Sequence, residues 1–125
     1  KVSILQELNL ADNELTGNAF PLELVTNSSA WVYVYLENNR LSGSVASELG
    51  RLTGLKELNV ANNSIEGTLP TEVGLMTALE SLNLEAQFAF SGACYSPFRG
   101  RIPSEIGNLG QLTFLNIAFN CMRGR

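Results

Sequence analysis

The chain has 125 residues and a net charge of -4, from eight Lys and Arg against twelve Asp and Glu. That is room for one domain, without the basic stripe that nucleic-acid phosphates or anionic lipid require. It contains no His, which excludes zinc–His sites, Ser–His pairs and imidazole general bases, and its apolar run Trp31 to Leu36 is far short of the roughly 18 residues that span a bilayer.

The elements repeat in chain order. Leu5, Leu8, Leu10, Asn13, Leu15 and Gly17 lay out the pattern L-x-x-L-x-L-x-x-N-x-L-x-G. Trp31, Val34, Leu36, Asn39, Leu41 and Gly43 repeat it, and so do Leu55, Leu58, Val60, Asn63, Ile65 and Gly67. A fourth copy opens with Leu79, Leu82 and Leu84, is interrupted, and resumes at Phe98 and Gly100, with Ser96 where the Asn is expected. The fifth is Leu112, Leu115, Ile117, Asn120, Met122 and Gly124. Units therefore start near 5, 31, 55, 79 and 112, a 24-residue period with two extra residues in the first copy and nine in the fourth. The later half repeats as well, in Gly67-Thr68-Leu69-Pro70 and Gly100-Arg101-Ile102-Pro103.

One such unit cannot bury its own Leu face, so the units must stack. Strand alternation sends Leu8 and Leu10 inward and Glu7, Asn9 and Ala11 outward. The chain must turn sharply after L-x-L, where the short Asn amide can satisfy buried backbone groups. The S/T-x-E-x-G stretches after the Pro residues predict a single helical or 3₁₀ turn on the opposite side.

The pattern resembles the leucine-rich repeat family, in its plant-type class, whose unit continues G-x-I-P after the Leu half. Gly100-Arg101-Ile102-Pro103 matches that half in full, and the resemblance covers the chain from Leu5 onward. It implies an α/β solenoid: a right-handed superhelix with a concave parallel β-sheet and little regular helix, here one array over residues 1–125. It also implies a protein- or peptide-binding module without a cofactor, of receptor-like or secreted type, in an extracellular or cell-surface setting. Neither end carries the polar cap of a complete solenoid, and the last unit is truncated at Arg125. The expectation is a piece of a longer array that is marginally stable or self-associating by itself.

The insertion is placed at Gln87 to Tyr95, where it displaces the corner of the fourth unit. It reads either as a tolerated surface loop, since long loops cost little in closure entropy, or as an island that shapes a binding site. Cys94 and Cys121 fall near neighbouring corners. They pair only if their Cα atoms come within about 7 Å and the compartment is oxidising; the thiol form stays open. Asn27-Ser28-Ser29 and Asn62-Asn63-Ser64 are glycosylation tripeptides, about as many as chance provides.

Catalytic motifs do not emerge. Glu37 and Glu85 fall on outward positions two units apart, roughly 9.6 Å at the strand spacing, and read as solvated rim charge. Two Cys without His do not make a zinc site, so the chain is expected to be neither an enzyme nor a metal protein. What remains is the outward strand face. Its columns are Glu7, Tyr33, Glu57, Ser81, Phe114; then Asn9, Tyr35, Asn59, Asn83, Asn116; then Ala11, Glu37, Ala61, Glu85, Ala118. None is needed by the core, so all are available for recognition. The ligand-binding candidates are Tyr33, Tyr35, Glu37, Glu57, Asn59, Ser81, Asn83, Glu85, Phe114 and Asn116, with Phe119 beside them. Exposed aromatics act as binding anchors, and an acidic floor between them suits a basic partner. The competing reading of the Asn column is a regular polar array for a glycan or ice, which Tyr35 interrupts.

Overall fold

The computed structural model describes residues 4–26, 30–87 and 98–124. Five three-residue strands form one parallel sheet: β1 (Glu7–Asn9), β3 (Tyr33–Tyr35), β5 (Glu57–Asn59), β6 (Ser81–Asn83) and β8 (Phe114–Asn116), in the spatial order β1-β3-β5-β6-β8. The register is that of the sequence columns. Leu8, Val34, Leu58, Leu82 and Leu115 are mutual partners on the core side. Shorter pairings stack beyond the corners, β2 (Thr16–Asn18) with β4 (Arg40–Ser42) and β7 (Arg99–Gly100) with β9 (Cys121–Met122). The return side holds a one-turn helix α1 (Leu22–Thr26) and three 3₁₀ segments, Ser47–Arg51, Thr71–Leu75 and Ser104–Asn108. Each 3₁₀ segment starts one residue after the Pro position of its unit, where Ala46, Pro70 and Pro103 hold an extended conformation.

The core is a column of Leu layers. Leu55, Val60, Ile65, Val73, Met76, Leu79, Leu82 and Phe98 lose all contact with solvent. Only the middle units are enclosed from both sides: Leu5, Leu10 and Leu15 of the first layer keep 61%, 39% and 38% of their surface exposed.

The corners are held by side-chain amides shared between units. Asn63 Nδ2 donates to the carbonyls of Leu36, Val60 and Ala61, and its Oδ1 accepts from the Leu41 N–H at 2.9 Å. Asn39 does the same one unit earlier, reaching back to Leu10 and accepting from Leu15. Each corner carbonyl is thus served by its own Asn and by that of the next unit. Such an interleaved column satisfies buried groups that would otherwise lack partners. Past the corner, Gly43 adopts φ 89°, as Gly17, Gly67 and Gly100 adopt similar angles, the left-handed turn that the spacing requires.

The fourth unit corrects the placement of the insertion. Gln87, counted from sequence as its first residue, fills the corner. Its Nε2 donates to Val60, Leu84 and Glu85 carbonyls and its Oε1 accepts from the Ile65 N–H. An amide one methylene longer does the work of Asn, so the corner is not displaced and the extra residues follow it. The unit resumes where the sequence places it, with Phe98 buried and Gly100 at φ 95°. Phe88, Phe90, Cys94, Tyr95 and Ser96 lie outside the described residues, as does Asn27; Cys121 is half-buried in β9.

Candidate functional site

The face of the sheet opposite the core is built by alternation alone. In β3, β5 and β6 the central residue is buried and its two neighbours are partly exposed. The strand register therefore sets Glu7, Tyr33, Glu57, Ser81 and Phe114 side by side, and Asn9, Tyr35, Asn59, Asn83 and Asn116 beside them. The third column stays in step through backbone bonds from Asp12 to Glu37, Asn38 to Ala61, Asn62 to Glu85 and Ala86 to Ala118. All ten candidate ligand residues share this one face, about 19 Å across at the usual strand spacing.

The Asn column is less available than the sequence implies. Asn9, Asn59, Asn83 and Asn116 each accept, through Oδ1, the N–H two residues on, at 3.0–3.2 Å. These are Asx turns that close the strand ends and fix the amide plane. They leave the Nδ2 group pointing away from that bond, as a donor. Only Tyr35 breaks the series.

Two glutamates are held by their neighbours. The Tyr35 hydroxyl donates to Glu57 Oε2 at 2.6 Å, diagonally across the strand pair. That bond, then burial, then the negative charges of Glu57 and Glu7 push the Tyr35 pKa up to about 12. Asn116 Nδ2 donates to Glu85 Oε2 at 2.8 Å. Glu37 differs: its Oε2 is shut off from solvent and has no hydrogen-bond partner among the described residues. Sequence reasoning has no signal for that orphan acceptor, since Glu37 and Glu85 occupy equivalent repeat positions.

Beyond the third column runs a rim in the left-handed conformation: Asp12, Asn38, Asn62, Ala86 and Phe119, at φ 52–56°. Asn38 donates to Asp12 Oδ1 at 2.6 Å and Asn62 to Asn38 Oδ1 at 2.7 Å, a ladder of exposed amides. Asn and Asp tolerate this backbone; a bulky Phe does not adopt it without cost. Phe119 nevertheless does so and leaves 79% of its surface in water, close in sequence to Phe114 at 48%. Asn62 of the second glycosylation tripeptide is exposed on this rim. Among the described residues no group of three His, Cys, Asp or Glu could hold a metal ion, and no helix is long and apolar enough to cross a membrane.

The sequence profile of the family Leucine Rich Repeat matches residues 54–76. No curated protein matches the sequence. Among solved structures, the Arabidopsis receptor kinase HAESA, in complex with the peptide hormone IDA and the co-receptor SERK1, is 27% identical with a TM-score of 0.81; the match covers 94% of this chain and 18% of that one. The BIR2 ectodomain from Arabidopsis thaliana is 29% identical with a TM-score of 0.81, covering 94% of this chain and 56% of that one. A plant ice-binding protein is 25% identical with a TM-score of 0.77, over 94% of this chain and 35% of that one. The chain thus spans under a fifth of the hormone receptor and just over half of the smaller ectodomain.

Proposed function

This chain is a leucine-rich repeat array of the plant type, and we propose that the open face of its sheet is a recognition surface for a protein or peptide ligand. The role is binding rather than catalysis, in an extracellular or cell-surface setting. One observation carries the reading: on a face that the core does not need, Tyr33, Tyr35 and Phe114 stand in register around fixed polar groups. Aromatic anchors beside pre-set hydrogen-bonding groups are the usual makings of a binding hot spot. The likeness to a receptor kinase solved in complex with a peptide hormone supports it.

Site-specific photo-crosslinking tests it. A photoreactive residue at Ser81, in the middle of the face, should capture a polypeptide from the secreted protein fraction of the source organism. The same residue at Thr71, on the return side, should not. Capture from position 71 alone, or from neither, refutes the assignment.

A regular array for ice is the second reading, favoured by the Asx-fixed amides and by the ice-binding neighbour. Against it, Tyr35 and the four glutamates break the flat repeat such a surface needs. Measurable thermal hysteresis would promote it over the peptide reading.

A further inference from the structure

Resting on that reading of the open face, we propose the chemistry of its occupant: a cationic polypeptide segment with an apolar residue about four positions from its Arg or Lys. The first ground is where the charge lies. Glu7, Glu37, Glu57 and Glu85 all stand on the face, and its three columns contain no Lys or Arg. The other eight acidic residues are balanced by the eight basic ones, so the net charge of -4 is the charge of this face. Lys56, next in sequence to Glu57, is paired with Glu80 at 3.5 Å and is turned to that partner. A face of one sign steers and selects a ligand of the other.

The second ground is how the carboxylates are held. Tyr35 fixes one oxygen of Glu57, and Asn116 fixes one oxygen of Glu85. Each pre-set group keeps acceptor capacity on its second oxygen. Glu37 is left with a buried oxygen that has no donor among the described residues, a costly state for a carboxylate. Rotation of its carboxyl toward an incoming guanidinium or ammonium replaces that state with an ion pair. The Tyr33 and Tyr35 rings on the same strand offer a cation–π surface to the same group.

The third ground sets the spacing. From β3, which carries the tyrosines and Glu37, to β8, which carries Phe114, are three strand steps, about 14 Å. An extended chain covers that distance in about four residues. At that far end Phe114 and Phe119 are the exposed apolar groups, Phe119 held out at a backbone angle unfavourable to it. A ligand with its cation at β3 places an apolar side chain there.

The test is selection of phage-displayed random dodecapeptides on the immobilised chain. Binding of the enriched peptides is then measured for a face variant (Glu37→Gln, Glu57→Gln, Glu85→Gln) and for a control with the same loss of charge elsewhere (Glu23→Gln, Glu48→Gln, Glu66→Gln). The substitutions are isosteric and preserve the Tyr35 and Asn116 bonds as possible geometries. The expected result is basic peptides with an apolar residue at the stated spacing. Their affinity should fall about tenfold or more in the face variant, by under about twofold in the control, and steeply with salt. Basic peptides weakened equally by both variants would overturn the inference, since net charge alone would explain them. Neutral or acidic peptides that depend on Tyr33 and Tyr35 would overturn it while the recognition role of the face stands. Failure to enrich any peptide would count against both.

Discussion

Asn13 and Asn63 hold the same repeat position, yet truncating them should have very different costs. In Asn63→Ala the Leu41 N–H loses Asn63 Oδ1, its only partner among the described residues, in a buried setting. An orphaned buried donor costs about 1–3 kcal/mol. The carbonyls suffer less. Leu36 keeps the Asn39 amide at 3.1 Å and Val60 keeps the Gln87 amide at 3.0 Å, so each loses one of two partners. With those losses the total comes to about 2–4 kcal/mol. Asn13 is exposed and among the described residues reaches only Leu10 and Ala11 of its own unit, and the Leu10 carbonyl keeps Asn39 at 2.8 Å. Asn13→Ala should therefore cost less than about 1 kcal/mol. Urea titration followed by the fluorescence of Trp31, the one tryptophan, measures both. Equal costs, or less than about 1 kcal/mol for Asn63→Ala, would refute the interleaved account of the corners.

Phe119→Asn should raise stability by about 1 kcal/mol in the same titration, because Asn tolerates φ 56° and the ring it removes is 79% exposed. Gly74→Ala should destabilise by about 1–3 kcal/mol, since its Cβ would stand 2.7 Å from the Glu105 carbonyl oxygen; Gly107→Ala, with nothing within 4 Å, should be neutral within about 0.5 kcal/mol in parallel melts. Tyr35 has its pKa raised from 10.0 to about 12, so the fold favours the neutral phenol. Its contribution is full below pH 10 and is lost as pH rises through 12, and alkaline unfolding of Tyr35→Phe should lack that slope.

Most of the fold is legible because two short-range rules act together. Alternation within three residues sets which side chain faces inward, and the 24-residue period sets which residues become neighbours. The columns read from sequence are therefore the registers found, from Glu7 beside Tyr33 to Asn83 beside Asn116. The corner of the fourth unit is hidden in the sequence because Gln87, standing three residues after Leu84 where the other units have Asn, reaches the same carbonyls with a longer side chain on the same backbone path.

The candidate face is legible as a set of neighbours but not as a set of side-chain states. Asn59 and Asn83 look unemployed until the Asx bonds appear, and those bonds depend on the chain turning after the strand. Tyr35 and Glu57 are not direct partners in the register; their bond is diagonal, and only the ring's length makes it possible. Glu37 and Glu85 are identical in type and repeat position, and the next strand carries an Asn in the same column beside each, Asn59 and Asn116, yet among the described residues only Asn116 donates to its glutamate. The neighbouring strands do not differ at that column; what differs is the residue two before the glutamate on its own strand, Tyr35 before Glu37 and Asn83 before Glu85. A repeat makes positions equivalent in backbone, and variation between adjacent units then makes them unequal in chemistry. Recognition residues on a solenoid are thus best sought where a polar group has lost the partner that its equivalents retain, and on this face that position is Glu37.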